Sequence, residues 1–418
     1  NGSGSNVGGR LRIYDRVTYN WTSFAQVGYT PKLKNDQRFL LLAGMELSDK
    51  YTSLLNGTGT GFSYDKIREL SLANVRTSAS SKISDATVSY YSQMNYDLRR
   101  KYYVTLSGRA DQSSLFGGDK RMALNAAIGA GWNISNEEFL QDITFIDFLR
   151  LRASFGSAGN SRIGSYASRG MYDLTKENYE GQIGARPNAT AAENPDLGWE
   201  TNYKTNIGLD VTLLDRLQLT VEVYQNNIHN LITSVEVPLE TGFTTIPINT
   251  GNMRNRGLDF NLSYVWLKEK SFNWRTVING GFNRNKVMSF NNPLAADYAE
   301  TTGNYVGNAL RVGYSTNTIW GVRWAGIDLE DGLDRFYTPA GAIVDRAQIR
   351  QMGVQGYQIL GNSLPTIQGG MVNAISWNNI FFCFNIQYNV GASKLVPTTR
   401  FETGNTLTHS NKYIDLLN

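Results

Sequence analysis

The chain contains one cysteine, Cys383, and two histidines, His229 and His409, in 418 residues. One thiol closes no intramolecular disulfide and builds no cysteine-rich metal centre, and two imidazoles so far apart do not read as a ligand pair. Thiol and zinc chemistry are therefore not expected. Proline is scarce, with nine residues, and charged residues make up 18%, below the usual quarter of a soluble domain. No run of eighteen apolar residues occurs and the mean hydropathy is −0.34, which excludes membrane-spanning helices. The opening NGSGSNVGG lacks the charged and apolar regions of a signal peptide. Forty basic and 36 acidic residues, a net +4, are scattered without a basic block, so nucleic acid is not an expected partner.

What fills the space is glycine (41), tyrosine (23), phenylalanine (18) and tryptophan (8), set in stretches that alternate with a period of two. Leu217, Leu219, Val221 and Val223 fall on one face, and Gln218, Thr220, Glu222 and Tyr224 on the other. Leu258, Phe260, Leu262, Tyr264 and Trp266 oppose Asp259, Asn261 and Ser263 in the same way, and so do Ile380, Phe382, Phe384, Ile386 and Tyr388 against Cys383, Asn385 and Gln387. Segments of about ten residues or more with this alternation suit a tilted membrane strand. Twelve are predicted, near residues 18–30, 37–50, 86–98, 101–112, 121–133, 148–157, 201–215, 216–232, 254–268, 272–290, 364–378 and 379–393.

The links between them alternate in length. Short turns are predicted near 32–36, 98–101, 214–216, 268–272 and 377–379, and long links at 50–85, 158–200, 233–253 and 291–363. Short turns on one side and long loops on the other is the pattern of an antiparallel up-and-down transmembrane barrel, with the short turns periplasmic. Trp132, Tyr203, Tyr264, Trp266, Trp274 and Trp377 stand near strand ends, where aromatic girdles mark the membrane interfaces.

Catalytic chemistry finds little support. Ser135 followed by Glu138 reads as a capping box for a short helix. The acids from Asp328 to Asp334 surround a Gly turn but lack the full spacing of a calcium loop, so they read as a solvated turn. His229 among asparagines reads as a polar strand end. Gly156-Ser-Ala-Gly159 carries no phosphate-loop lysine and reads as a turn. No enzyme, metal site or cofactor is expected. On the inward faces Arg150, Arg152, Lys204, Asp210, Glu222 and Asp259 are expected to line a polar lumen. Among the long-loop aromatics, Tyr166, Trp199, Phe243, Tyr305, Trp320 and Trp324 are candidates for contact with a partner or ligand, since such side chains favour interfaces and stack on sugars.

An ordered series of motifs resembles the SusC/RagA-type TonB-linked outer-membrane transporters. Arg109-Ala-Asp-Gln-Ser-Ser-Leu-Phe-Gly117 is similar to their R-x-D-G-S-S-x-F-G, with Gln112 for the usual Gly. Leu149-Arg-Leu-Arg-Ala-Ser-Phe-Gly-Ser-Ala-Gly-Asn160, Glu193-Asn-Pro-Asp-Leu-Gly-Trp-Glu-Thr201 and Asn206-Ile-Gly-Leu-Asp210 follow in family order. Asn249-Thr-Gly-Asn-Met-Arg-Asn-Arg-Gly-Leu-Asp259, Trp324-Ala-Gly-Ile-Asp328 and Leu364-Pro-Thr-Ile-Gln-Gly-Gly370 complete the series.

The resemblance covers roughly residues 37–395 and corresponds to the central to C-terminal part of the barrel. It implies an all-β transmembrane barrel, with about 12 of an expected ~22 strands present, in the outer membrane of a Gram-negative bacterium. On this reading residues 1–418 are a partial barrel with long extracellular loops, without the plug domain and TonB box. The implied function is import of oligosaccharides or peptides under a SusD-like surface lipoprotein, energised by TonB through the missing N-terminal part. Two alternatives stay open: a SusC-like barrel serving as a structural subunit of an outer-membrane assembly or secretion complex, and a soluble all-β binding protein.

Overall fold

The computed structural model describes residues 9–34, 36–63, 69–161, 163–179, 182–190, 192–290, 306–308 and 311–394. Alternation with a period of two produces a sheet with unlike faces, and the strands that carry it form one. In chain order the strands are β1 (Arg10–Tyr29), β2 (Gln37–Thr60), β3 (Val75–Leu98), β4 (Tyr102–Ser113), β5 (Met122–Asn133), β6 (Ile146–Asn160), β7 (Tyr172–Tyr179), β8 (Gln182–Pro187), β9 (Glu200–Leu213) and β10 (Leu217–Glu236). They continue as β11 (Thr245–Lys268), β12 (Phe272–Phe290), β13 (Val306–Asn308), β14 (Thr318–Gly321), β15 (Arg323–Ile327), β16 (Asp334–Tyr337), β17 (Ile343–Val344), β18 (Gln358–Asn362), β19 (Ile367–Trp377) and β20 (Ile380–Val390). One short helix, α1 (Arg346–Gln351), carries a capping box between Asp345 and Gln348.

Twelve strands make a single antiparallel sheet in the order β1-β2-β3-β4-β5-β6-β9-β10-β11-β12-β19-β20. Every predicted strand corresponds to one of them, each paired with its neighbour in the chain. The edges are β1 and β20. At the short-turn end, Arg99 and Arg100 (φ 54° each) and Leu214 and Asp215 (φ 53° and 51°) adopt the left-handed conformation. This is the two-residue turn whose twist matches the flanking strands.

The predicted boundaries fail at the other end. Residues 50–60 and 75–85, expected in a long link, are strand, as are 233–236 and 245–253. Backbone pairing runs unbroken from Gln37–Leu98 to Thr60–Val75. A membrane strand needs only about nine to eleven residues, so these hairpins continue beyond the apolar zone. There an outward side chain has no reason to be apolar, and the alternation that announces a strand disappears. Long links remain at 161–199 and 291–366. They hold small sheets of their own: the β7–β8 hairpin, β13-β14-β18 and β15-β16-β17.

Two local readings are also corrected. Gly156 to Gly159 lie inside β6 rather than in a turn. Glycine is needed there for close approach: a Cβ on Gly156 would sit 2.4 Å from the Ala127 Cβ, and one on Gly159 3.0 Å from the Trp199 ring. Residues 134–145 form a longer connection with two single-turn 3-10 segments, and neither has a side-chain cap. Glu137, not Ser135 or Glu138, organises that connection, as described below.

The apolar face is uncovered. Ile128, Leu151, Phe155, Ile207, Leu209, Val223, Leu258 and Phe282 are exposed along the sheet. In water such a continuous face would be an association hazard; against hydrocarbon it is the expected barrel exterior. Buried apolar side chains gather instead in the loops, at Phe116, Ala192, Leu197, Ile319, Trp320 and Ile349.

Candidate functional site

Charged groups on the polar face of the sheet converge in two clusters. In the first, Arg150 Nε and Nη2 donate to Asp210 Oδ2 at 3.0 and 2.8 Å, and Arg152 Nε donates to the same oxygen at 3.2 Å. Arg152 Nη2 also donates to Glu222, which receives a further bond from Asn206 Nδ2 at 3.1 Å. Thr220 donates to the other oxygen of Asp210 at 3.0 Å. Register explains the convergence. Arg150 faces Asp210 and Asp210 faces Thr220, while Arg152 faces Gly208 and Gly208 faces Glu222. A Cβ on Gly208 would lie 2.6 Å from the Arg152 guanidinium carbon, so the glycine lets Arg152 cross β9. The motif residues Asn206, Gly208 and Asp210 thus act together.

Asp259 lies next in line, opposite Glu222 on one side and Gly281 on the other. Lys204 is exposed on the same face, between Gly156 and Asn226. Neither makes an ion pair among the described residues. Four of the six predicted lumen residues, Arg150, Arg152, Asp210 and Glu222, therefore form one network, and Lys204 and Asp259 stand beside it.

A second cluster was not predicted. Arg109 Nε donates to Asp111 Oδ1 at 2.6 Å, and Arg109 Nη2 reaches Ser89 Oγ at 2.8 Å and Glu46 at 3.3 Å. Ser89 donates to Asp111 at 2.6 Å. The signal was present, since Arg109 and Asp111 are two apart and share a face, but Glu46 and Ser89 come from other strands.

The remaining motifs join the wall to its outer loops. Phe116, 1% exposed, lies 4.6 Å from the Trp199 ring, and Leu197 is fully buried. Trp199 Nε1 donates to the Arg121 carbonyl at 2.8 Å. Asn249 bonds in both directions with the backbone of Gly198, each at 2.9 Å. Glu200 accepts from Asn160 at 2.6 Å and from the Ile232 amide at 2.8 Å. Gly117 packs where a Cβ would fall 1.7 Å from the Pro195 carbonyl oxygen. Beside this joint lies a cavity of about 450 Å³ bordered by Arg121, Arg169, Met171, Tyr172, Glu193 and Phe243.

The other loop aromatics divide. The Tyr166 hydroxyl accepts from the Ser84 amide at 3.1 Å. Trp320, 5% exposed, packs edge-on against Tyr314 at 4.9 Å with Arg311 4.3 Å above its ring. Trp324 is 58% exposed. Tyr305 lies outside the described residues. Arg335 binds both Asp328 and Asp331, and Asp331 also accepts from the Leu333 amide at 2.9 Å. Those two acids are thus neutralised within their own turn. The His229 ring meets Tyr203 edge-on at 5.6 Å, and His229 is exposed inside β10, paired with Thr201, rather than at a strand end.

At the short-turn end, Tyr102 stacks with Trp132 at 6.5 Å, and Trp266 contacts Tyr264 and Trp274 at 4.7 and 5.2 Å. This is the aromatic girdle expected at an interface. Glu137 sits below it, accepting from Lys101 Nζ at 2.9 Å, Tyr102 Oη at 2.7 Å and Trp132 Nε1 at 3.0 Å. The Lys101 bond, then those from Tyr102 and Trp132, hold its carboxyl down at about 2, against an ordinary 4.5. A depressed carboxylate pKa stabilises the fold above the unfolded value, and that contribution is lost as pH falls from 4.5 towards 2. The fluorescence difference between the folded protein and its Trp132→Phe variant should stay constant through pH 4.5 and change only as the pH nears 2. Lys101→Met should move the change upward, and an unmoved midpoint would refute the assignment.

The match to the family model described as TonB dependent receptor-like, beta-barrel covers residues 2–368. The chain is 27% identical to TonB-dependent receptor P39 of Formosa agariphila over 92% of its own length and 40% of the relative's. It is 29% identical to TonB-dependent receptor SusC of Bacteroides thetaiotaomicron over 63% of this chain and 28% of that protein. A structure of the RagAB peptide importer superposes with a TM-score of 0.77 at 26% identity, covering 92% of this chain and 42% of that one. The chain thus spans about 40% of the length of P39. The exposed apolar face, the polar wall opposite it and a family match over most of the sequence agree, and the chain belongs to the TonB dependent receptor-like β-barrel family of the Gram-negative outer membrane.

Proposed function

We propose that this chain forms part of the wall and outer loops of a SusC-like transporter importing peptides or oligosaccharides beneath a SusD-like surface lipoprotein, with energy delivered through TonB. The family is one of receptors, not of enzymes. The observation that carries the proposal is the superposition on the RagAB importer over nearly the whole chain. On this reading the open edges at β1 and β20 pair with further strands of a larger closed wall, because unpaired backbone groups are costly in lipid. The two ion clusters face the lumen and give it a polar surface that a plug or passing substrate can hydrogen-bond. Trp324 and Phe243 are the loop aromatics best placed for a lid or ligand, since Trp199 and Trp320 are already packed within their loops.

The full-length protein, extracted from its native membrane in gentle detergent, should carry a stoichiometric surface lipoprotein. Deleting tonB should stop uptake of labelled peptide or oligosaccharide while leaving the barrel at the surface. A barrel with no such lipoprotein and with TonB-independent behaviour would overturn the transport reading in favour of a structural subunit.

A further inference from the structure

Four cations stand together on the apolar side of the sheet, above its hydrocarbon-facing band. Along β11 the outward positions run Tyr264, Leu262, Phe260, Leu258 and then Arg256 and Arg254; along β12 they run Trp274, Thr276, Ile278, Gly280, Phe282 and then Arg284 and Lys286. Register places Arg256 directly opposite Arg284 and Arg254 directly opposite Lys286. Like charges directly opposite each other in a sheet are destabilising, so two such pairs in succession call for anions. Among the described residues none of the four makes an ion pair. The Nε of Arg256 donates to Gln225 at 2.8 Å, which leaves the rest of its guanidinium available.

Height identifies the anion. Trp274 belongs to the aromatic girdle at the periplasmic end, and Arg284 lies ten residues further along β12; the one register shift in that span falls on β11, between Val265 and Leu267, opposite Arg275 and Trp274. Ten residues rise about 33 Å along a strand, and a tilt of about 40° reduces this to about 25 Å along the membrane normal, the height of the apolar band of a barrel. Arg256 and Arg284 therefore emerge at the level of the outer-leaflet headgroups. A cavity of about 450 Å³ borders Arg284 and Lys286, with Phe282, Tyr314, Ile359 and Leu364 beside them. That mixture of cationic and apolar groups fits a phosphorylated lipid headgroup above its acyl chains. We infer that Arg254, Arg256, Arg284 and Lys286 form a binding site for the phosphates of an outer-leaflet glycolipid. The inference rests on the membrane orientation of the sheet and is independent of what the protein transports.

The test uses the delipidated full-length protein in detergent and fluorescent diphosphoryl lipid A. Neutralising all four as Arg254→Gln, Arg256→Gln, Arg284→Gln and Lys286→Gln should weaken binding on the order of a thousandfold. Replacing Lys32, Lys34, Lys268 and Lys270 by Gln, an equal charge change at the periplasmic end, should leave it unchanged. Dephosphorylated lipid A should bind the unaltered protein as weakly as the intact lipid binds the neutralised one. Millimolar inorganic phosphate should not displace the lipid. If the fourfold variant does not fold, judged by heat-modifiable gel mobility, Arg284→Gln with Lys286→Gln serves in its place, with about a thirtyfold loss expected. Equal affinity of protein and variant, equal affinity for the dephosphorylated lipid, or displacement by free phosphate would overturn the site. So would loss of a bound surface lipoprotein with lipid binding intact.

Discussion

Replacing Val221 by Arg should cost about 2–4 kcal/mol of barrel stability, the penalty of a charge at the bilayer midplane. Val221 sits within the apolar band on the outward face of β10, between Leu209 of β9 and Phe260 of β11, so the guanidinium could reach neither interface without distortion. The matched control is Gln218→Arg, three positions away on the polar face, where the exposed side chain has room. Thr220, the adjacent polar-face position, is a poorer control because its hydroxyl holds Asp210. Unfolding of the full-length protein in detergent–urea mixtures, followed by heat-modifiable gel mobility, should separate the two variants clearly. Equal destabilisation would show that the two faces have been assigned wrongly.

Phe116→Ala should be as costly, but locally. Removing a fully buried aromatic side chain costs about 3–5 kcal/mol, and here the loss falls on the joint that holds residues 161–199 against the strand tops, where Phe116 meets Trp199. Limited proteolysis of intact cells should cut within that loop in the variant at protease levels that spare the parent, while the sheet keeps its heat-modifiable mobility. Gly117→Val should give the same pattern by a different route, since its Cβ would collide with the backbone of Pro195. Protection equal to the parent in both variants would mean that the loop is anchored elsewhere.

Much of the architecture was legible because a strand between lipid and a polar interior must alternate, and alternation is written in consecutive residues. All twelve long strands and the tight turns at 99–100 and 214–215 could be found in this way. The upper parts of β2, β3 and β11 and the last residues of β10 could not, because outside hydrocarbon the same backbone pairing imposes no such pattern. Serine-rich residues 78–84 look like a loop and are strand. The site was legible in part for a related reason. Arg150, Arg152, Asp210 and Glu222 could be assigned to the polar face from periodicity, and Arg109 with Asp111 could have been.

The sequence by itself determined the class of the fold, the two faces of its wall, and, through ordered motifs, the family. Those properties depend on neighbours along the chain. Which charges meet was decided only by the tertiary structure, because register brings together residues 60 or more positions apart, as with Arg152 and Glu222 or Arg109 and Glu46. The same holds for Arg254, Arg256, Arg284 and Lys286: in sequence they are two separated pairs among scattered charges, and only the pairing of β11 with β12 concentrates them at one height on one face.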